Sequence, residues 1–168
     1  MLFRSRVIAV APDYPGTHYV LGEVEQKEGR LEAAEAAFRR VVELNPGDAK
    51  AYERLGLLAQ QAGNDAAAET SYLAALRHDP DSAVARNNLG MIYIKKRDWS
   101  RALEQFTAAA RRDPDDLDAA YNQAMTLDMV GRKDEARTIL RRVLARLPDD
   151  PQFDSQRRGA RAILDQGR

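Results

Sequence analysis

The sequence predicts an all-α fold: a short array of antiparallel helix pairs closed by one further helix. Three observations carry that prediction. A 34-residue period runs through the chain, marked by Pro12, Pro46, Pro80, Pro114 and Pro148. Four more registers keep the same spacing: Leu21, Leu55 and Leu89; Gly22, Gly56 and Gly90, continued by Ala124; Ala34, Ala68, Ala102 and Ala136; and Phe38, Tyr72, Phe106 and Leu140. The composition, 31% charged and without cysteine, suits soluble helical repeats, in which each unit buries one face only against the next.

Each element follows from its residues. Residues 1–14 form an N-terminal half-repeat, a second helix whose first is missing, with Val7, Ile8 and Ala11 turned toward the next repeat. Four full repeats follow at 15–48, 49–82, 83–116 and 117–150. The third shows the logic. Ser82 caps a helix from about Ala83 to Lys96, its hydroxyl taking an orphan backbone N–H. A break at Arg97-Asp98 leads to a second helix, about Trp99 to Arg112, and Pro114 ends it. Asp48, Asp116 and Asp150 hold the capping place elsewhere. Gly29, Gly63 and Gly131 stand at the break inside their repeats, where a left-handed residue ends a helix. Gly90 and Ala102 are small so that two backbones approach, with Leu89, Tyr93 and Phe106 around them. Glu25 in the place of Tyr93, and Gln123 in that of Leu89, loosen the first and fourth repeats. Residues 151–168 form a capping helix. It starts at Pro151, a favourable first position. Phe153, Ala160 and Leu164 face back, and Arg157, Arg158 and Arg161 make a polar outer side.

Several function classes drop out. Lys plus Arg and Asp plus Glu are 26 each, so no net charge draws the whole chain to nucleic acid or an anionic membrane. The absence of cysteine excludes disulfides, thiol catalysis and thiolate metal sites. Two separated histidines, His18 and His78, are expected to be structural, and no metal site is expected. No phosphate loop or catalytic motif is present, so no enzyme activity and no cofactor are expected. The run Val7–Ala11 is too short for a signal peptide, and no stretch approaches the ~20 apolar residues of a membrane span. The expected compartment is the cytoplasm, with the periplasm open should the chain be a trimmed piece of a longer one. From Arg132 to Arg168 ten basic residues face six acidic ones. Without aromatic side chains among them to stack bases, nucleic acid is not the expected partner. Trp99 is expected to pack against the adjacent turn.

The pattern of an aromatic, then Leu-Gly, Tyr, Ala, Phe and Pro resembles the tetratricopeptide repeat family. Leu89, Gly90, Tyr93, Ala102, Phe106 and Pro114 match it, and Tyr52 keeps the leading aromatic in the preceding repeat. The resemblance implies a right-handed α-solenoid of antiparallel helix pairs with a C-terminal capping helix. It also implies a concave groove lined by the first helix of each repeat. The candidate peptide-binding residues on that face are Tyr19, Arg54, Leu57, Asn87, Asn88, Met91, Ile94, Lys95, Tyr121, Asn122, Met125 and Met129. Met91, Ile94, Met125 and Met129, with Leu57, make an apolar stripe, and methionine suits surfaces that adapt to a ligand. Asn88 and Asn122 occupy equivalent places one repeat apart. Their carboxamides could bond an extended peptide backbone whatever its sequence. Asn87-Asn88-Leu89-Gly90 resembles the asparagine-ladder repeats of this family, here two rungs long. The Lys–Asn pair with which some members clamp chaperone tails has no counterpart.

The expected function is a non-catalytic scaffold that binds a peptide or helix of a partner protein in the groove. Two alternatives stand beside it. One is self-assembly through residues 2–11, where apolar side chains lack cover. The other is a segment of a larger enzyme or secretion complex.

Overall fold

The computed structural model describes residues 13–165. Of the half-repeat expected in residues 1–14, residues 1–12 lie outside the described residues, and with them any self-association through residues 2–11. Among those described there are nine α-helices and no strand. They are α1 (Pro15–Lys27), α2 (Leu31–Leu44), α3 (Ala49–Gln61), α4 (Asp65–His78), α5 (Ala83–Lys95), α6 (Trp99–Arg112), α7 (Leu117–Met129), α8 (Lys133–Arg146) and α9 (Asp154–Asp165). The chain divides into two compact units at Pro80/Asp81. The first holds α1–α4 and the second α5–α9.

The caps form as the residue types dictate. Asp48, Ser82 and Asp116 each accept a hydrogen bond from the backbone N–H three residues on, at 2.9–3.0 Å. Asn64 and Asp98 do the same for α4 and α6. Asp150 also caps, accepting from Gln152, but the turn it opens is a 3₁₀ turn over Pro151–Phe153 that precedes α9. The closing segment is therefore two elements rather than one helix. Gly29, Gly63 and Gly131 have φ of +76°, +74° and +81°. Arg97 holds the same left-handed place between α5 and α6 with φ 57°.

Within each pair, a small residue on the first helix faces a large one on the second. The rings of Phe38, Tyr72 and Phe106 lie over Gly22, Gly56 and Gly90, where even a Cβ would come within 2.6–2.7 Å of ring carbon. In the fourth pair Ala124 and Leu140 take these places, and both are fully buried. In the first unit Ala34, Phe38 and Leu58 form a buried cluster on which Tyr19, Leu31 and Leu55 pack. In the second, Ala124, Leu127, Ala136 and Leu140 meet Ala160 and Ile163 of α9.

The polar substitutions in the repeat pattern are compensated. Glu25, only 3% exposed where the third pair has Tyr93, accepts from Arg30 Nε at 2.5 Å. Gln123 donates to Thr107 across the α6–α7 contact at 3.0 Å. Tyr93 instead carries the Arg101 guanidinium 4.4 Å above its ring. A buried carboxylate without a partner would cost several kcal/mol, and Arg30 is one of the groups that offset this for Glu25.

The inward side of α9 is set by Ala160 and Ile163, with Phe153 and Leu164 half-buried. Ile163 thus joins the three residues expected there. Arg158 and Arg161 are exposed. Arg157 is not part of an outer polar side. Its guanidinium folds back onto the carbonyl oxygens of Pro148 and Asp150, and its side chain is only 15% exposed. Each of those carbonyls also accepts a backbone N–H, Pro148 O from Asp150 and Asp150 O from Phe153, and the guanidinium is a second donor that ties the 3₁₀ turn to α9.

Candidate functional site

In the second unit the first helices of two successive pairs, α5 and α7, converge with α6 on an apolar cleft of about 260 Å3. Its walls are Met91 and Ile94 from α5, Trp99 and Phe106 from α6, and Asn122, Met125, Thr126 and Met129 from α7. The spacing explains the wall. Met91 and Ile94, and Met125 and Met129, stand three and four residues apart and so share a helix face. Met91 is 41% exposed and Met129 58%. Met125, Ile94 and Trp99 are half-buried, and Phe106 and Thr126 are buried. Phe106 is the floor, its ring held against Gly90. Thr126 donates its hydroxyl to Asn122 O, one turn back in α7, at 2.7 Å.

One edge of the cleft carries amides. Asn122 Nδ2 donates to Asn87 Oδ1 at 3.1 Å. This bond fixes the Asn122 carboxamide and leaves one of its two N–H groups and its oxygen for a ligand. Asn88 behaves differently, since its Nδ2 bonds Val84 O inside α5 at 2.9 Å. The equivalent asparagines therefore do not form matching rungs, and the pair that meets is Asn87–Asn122. Lys95 is exposed at the C-terminal end of α5.

The remaining candidates have other surroundings. Tyr121 is half-buried and packs against α9, where a side chain at Gly159 would strike its hydroxyl. Burial raises its phenol above the ordinary value. Nearby, Gln156 donates to Asp118 at 2.5 Å. The capping helix thus covers the N-terminal half of the α7 face that the sequence assigns to the groove. Tyr19, Arg54 and Leu57 belong to the first unit. The Tyr19 ring meets Phe38 edge-on at 5.4 Å, and its hydroxyl accepts from Arg54 Nε at 3.3 Å. Arg54 also reaches Glu23 at 2.8 Å. The Tyr19 bond first, and then the Glu23 charge, raise the guanidinium further. Leu57 is half-buried on α3.

Sequence reasoning gathered five cleft residues, Met91, Ile94, Asn122, Met125 and Met129, and missed three, Trp99, Phe106 and Thr126. Trp99 was legible in principle. It opens α6 five residues after Ile94, and a helix pair closed by a tight turn brings such residues side by side. Thr126 carried no signal as a wall residue, because a threonine inside a helix is as readily solvated.

Among the described residues no three acidic or histidine side chains could hold a metal ion, and no helix is long and apolar enough to cross a membrane. His78 stacks on Tyr52 at 5.7 Å. In the basic C-terminal third, Arg132, Arg137, Arg146 and Arg157 are tied to Glu135, Asp134, Asp115 and Asp154.

The tetratricopeptide repeat model matches residues 19–83 and 87–151. The chain belongs to the tetratricopeptide repeat family. Proteins built from these repeats are generally interaction modules without catalysis. Among solved structures, one of MamA is similar with a TM-score of 0.76 and 22% identity, over 84% of this chain and 83% of that one. A second MamA structure gives 0.74 and 21%, over 88% and 85%. YrrB, described as a TPR protein with an unusual peptide-binding site, gives 0.71 and 20%, over 88% of this chain and 76% of that chain. At these identities the likeness concerns the fold. No curated protein matches the chain. The architecture read from the 34-residue period, an all-α solenoid of tetratricopeptide helix pairs, is the one the family and these neighbours share.

Proposed function

We propose that this tetratricopeptide chain is a non-catalytic scaffold that binds a peptide or helix of a partner protein, with one apolar side chain of that partner seated between α5 and α7. The observation that carries the reading is the methionine-lined cleft. At about 260 Å3 it is smaller than the ~300–1,000 Å3 of small-molecule pockets, so it suits an anchoring side chain better than a cofactor. Methionines adapt their unbranched chains to an incoming group. The Asn122 carboxamide at the edge, held by Asn87, would orient the ligand backbone.

The test uses Trp99, the single tryptophan, as an internal reporter. Peptides selected from a random phage library on the whole protein are expected to shift Trp99 emission. They should lose about tenfold or more in affinity when Met91, Ile94 and Met125 are changed together to Ser, since each buried apolar group contributes ~1 kcal/mol or more. Circular dichroism verifies that helicity is kept. Peptides that bind the folded triple variant undiminished would place the site elsewhere.

A further inference from the structure

The sulfur of the described residues is gathered at one cleft. The chain has four methionines and no cysteine. Met1 lies outside the described residues, and Met91, Met125 and Met129 all line the cleft between α5 and α7. With no thiol in the chain, thioether sulfur is where a two-electron oxidant reacts.

The three side chains are not equally placed. Met91, on α5, is 41% exposed, and Met129, on α7, is 58% exposed. Met125 is half-buried and packs on the buried cluster around Leu127 and Leu140. An oxidant therefore reaches Met91 and Met129 from solvent, while packing screens Met125. The neighbours are apolar, since Ile94, Trp99 and Phe106 complete the wall and floor. Few donors face a new oxygen there: the Thr126 hydroxyl is given to Asn122 O, and one Asn122 N–H to Asn87.

The free and the ligand-bound protein respond differently to such an oxygen. In the free protein a sulfoxide at Met91 or Met129 keeps its oxygen in water, so the helices lose no packing. When an apolar side chain closes the cleft, that oxygen must give up its water among apolar neighbours. Burying a polar group without a hydrogen bond is costly. Oxidation also replaces a flexible, polarizable thioether by a polar, chiral group. Both effects oppose binding and leave folding alone.

We propose that Met91 and Met129 are modification sites, oxidised to sulfoxides by a peroxide, and that this oxidation shuts the cleft to its ligand without unfolding the chain. The sulfur lone pair attacks one peroxide oxygen. The S–O bond forms as the O–O bond breaks, and the second oxygen leaves with both protons as water. Sulfur gives up two electrons and the peroxide takes them. Methionine sulfoxide reductases reverse the step, one enzyme for each sulfoxide epimer. This rests on the cleft being the binding site, and it names a chemical state in which that site is closed.

The experiment uses peptides selected from a random phage library on the untreated protein, which shift Trp99 emission and bind M91S/M129S poorly. The whole protein is treated with hydrogen peroxide, the peroxide is removed before peptide is added, and mass spectrometry assigns each added oxygen. Met91 and Met129 are expected to gain oxygen well before Met125, with helicity and the urea midpoint kept. Peptide affinity should then fall about tenfold or more, since an apolar contact is lost on each wall, and should return with the two reductases. In M91L/M129L, whatever its starting affinity, peroxide should change nothing. Several results would overturn the modification sites and leave the cleft as the binding site: binding that survives oxygen on both sulfurs, unfolding on oxidation, a loss the reductases do not reverse, an equal loss in M91L/M129L, or oxygen entering Met125 first. Selected peptides that all bind M91S/M129S undiminished, or a library without binders, would overturn the cleft and the modification together.

Discussion

Replacing Gly90 by Ala tests whether ring-on-glycine packing sets the helix spacing. The new Cβ would lie 2.6 Å from Cε1 and 2.7 Å from Cζ of Phe106. Both are too close by most of an ångström, and with Phe106, Leu89 and Ala102 all at 0% exposure the ring can give way only toward the cleft whose floor it forms. Overpacking of this sort costs ~1–3 kcal/mol. Alanine returns up to ~1 kcal/mol through its better helix propensity. With the full return the net expectation is a loss of up to ~2 kcal/mol, about 1 at the middle of the range, read as a lower urea midpoint with an unchanged slope. The fourth pair shows the remedy, because Ala124 there faces Leu140 and both are buried without conflict. Phe106→Leu alone should cost ~1–2 kcal/mol for the volume removed. Combined with Gly90→Ala it should be at least ~1 kcal/mol more stable than the two losses added. Strict additivity in that cycle, or a Gly90→Ala variant more stable than the wild type, would refute the argument that ring and glycine are matched.

Two further outcomes follow from local chemistry. Arg97→Gly should raise stability by ~0.5–1 kcal/mol, the relief of ~1–2 kcal/mol of left-handed strain less glycine's own ~0.5–1 kcal/mol of entropy; a lower urea midpoint would mean that the Arg97 side chain holds the turn. Burial first, and then the Glu53 charge, hold the Tyr72 phenol above its ordinary 10.0, so the neutral form is favoured in the folded state. Its contribution is full below the unfolded value and is lost as pH rises through the folded one, so the urea midpoint should fall between about pH 9 and pH 12. Tyr72→Phe should flatten that fall, leaving the part due to Tyr121, and an unaltered profile would count against a buried phenol at this place.

The framework was legible because it repeats. A glycine at 22, 56 and 90 under an aromatic, with an acid or hydroxyl capping the first helices of the second, third and fourth pairs, states the same packing problem several times over. Any one register could be chance, but their agreement admits one answer. What the period could not convey lies in the contacts made once. Arg157 turning inward, the 3₁₀ turn before α9 and the amide bond between Asn87 and Asn122 each depend on three-dimensional acceptors that no register marks. Tyr121 shows the same limit from the other side. Its register put it on a groove face, and the closing helix covers that part of the face.

The cleft stands where the period is broken, and this is the physical reason to look there for function. Positions that keep the register must satisfy packing, so their identities report the fold. At the register of Ile94 the other pairs carry Gln26, Gln60 and Asp128, and at that of Trp99 they carry Leu31, Asp65 and Lys133. Met91 and Met125 share a register that holds Glu23 and Leu57 earlier, and Met129 stands where Lys27, Gln61 and Lys95 stand. Packing alone does not ask for an apolar residue at these places, since charged and amide side chains serve in equivalent pairs. Yet in the second unit they turn apolar together, around one cleft, beside the one turn that gives up its glycine for an arginine. Several independent departures converging on a single surface are more economically explained by a ligand than by the fold they leave unchanged.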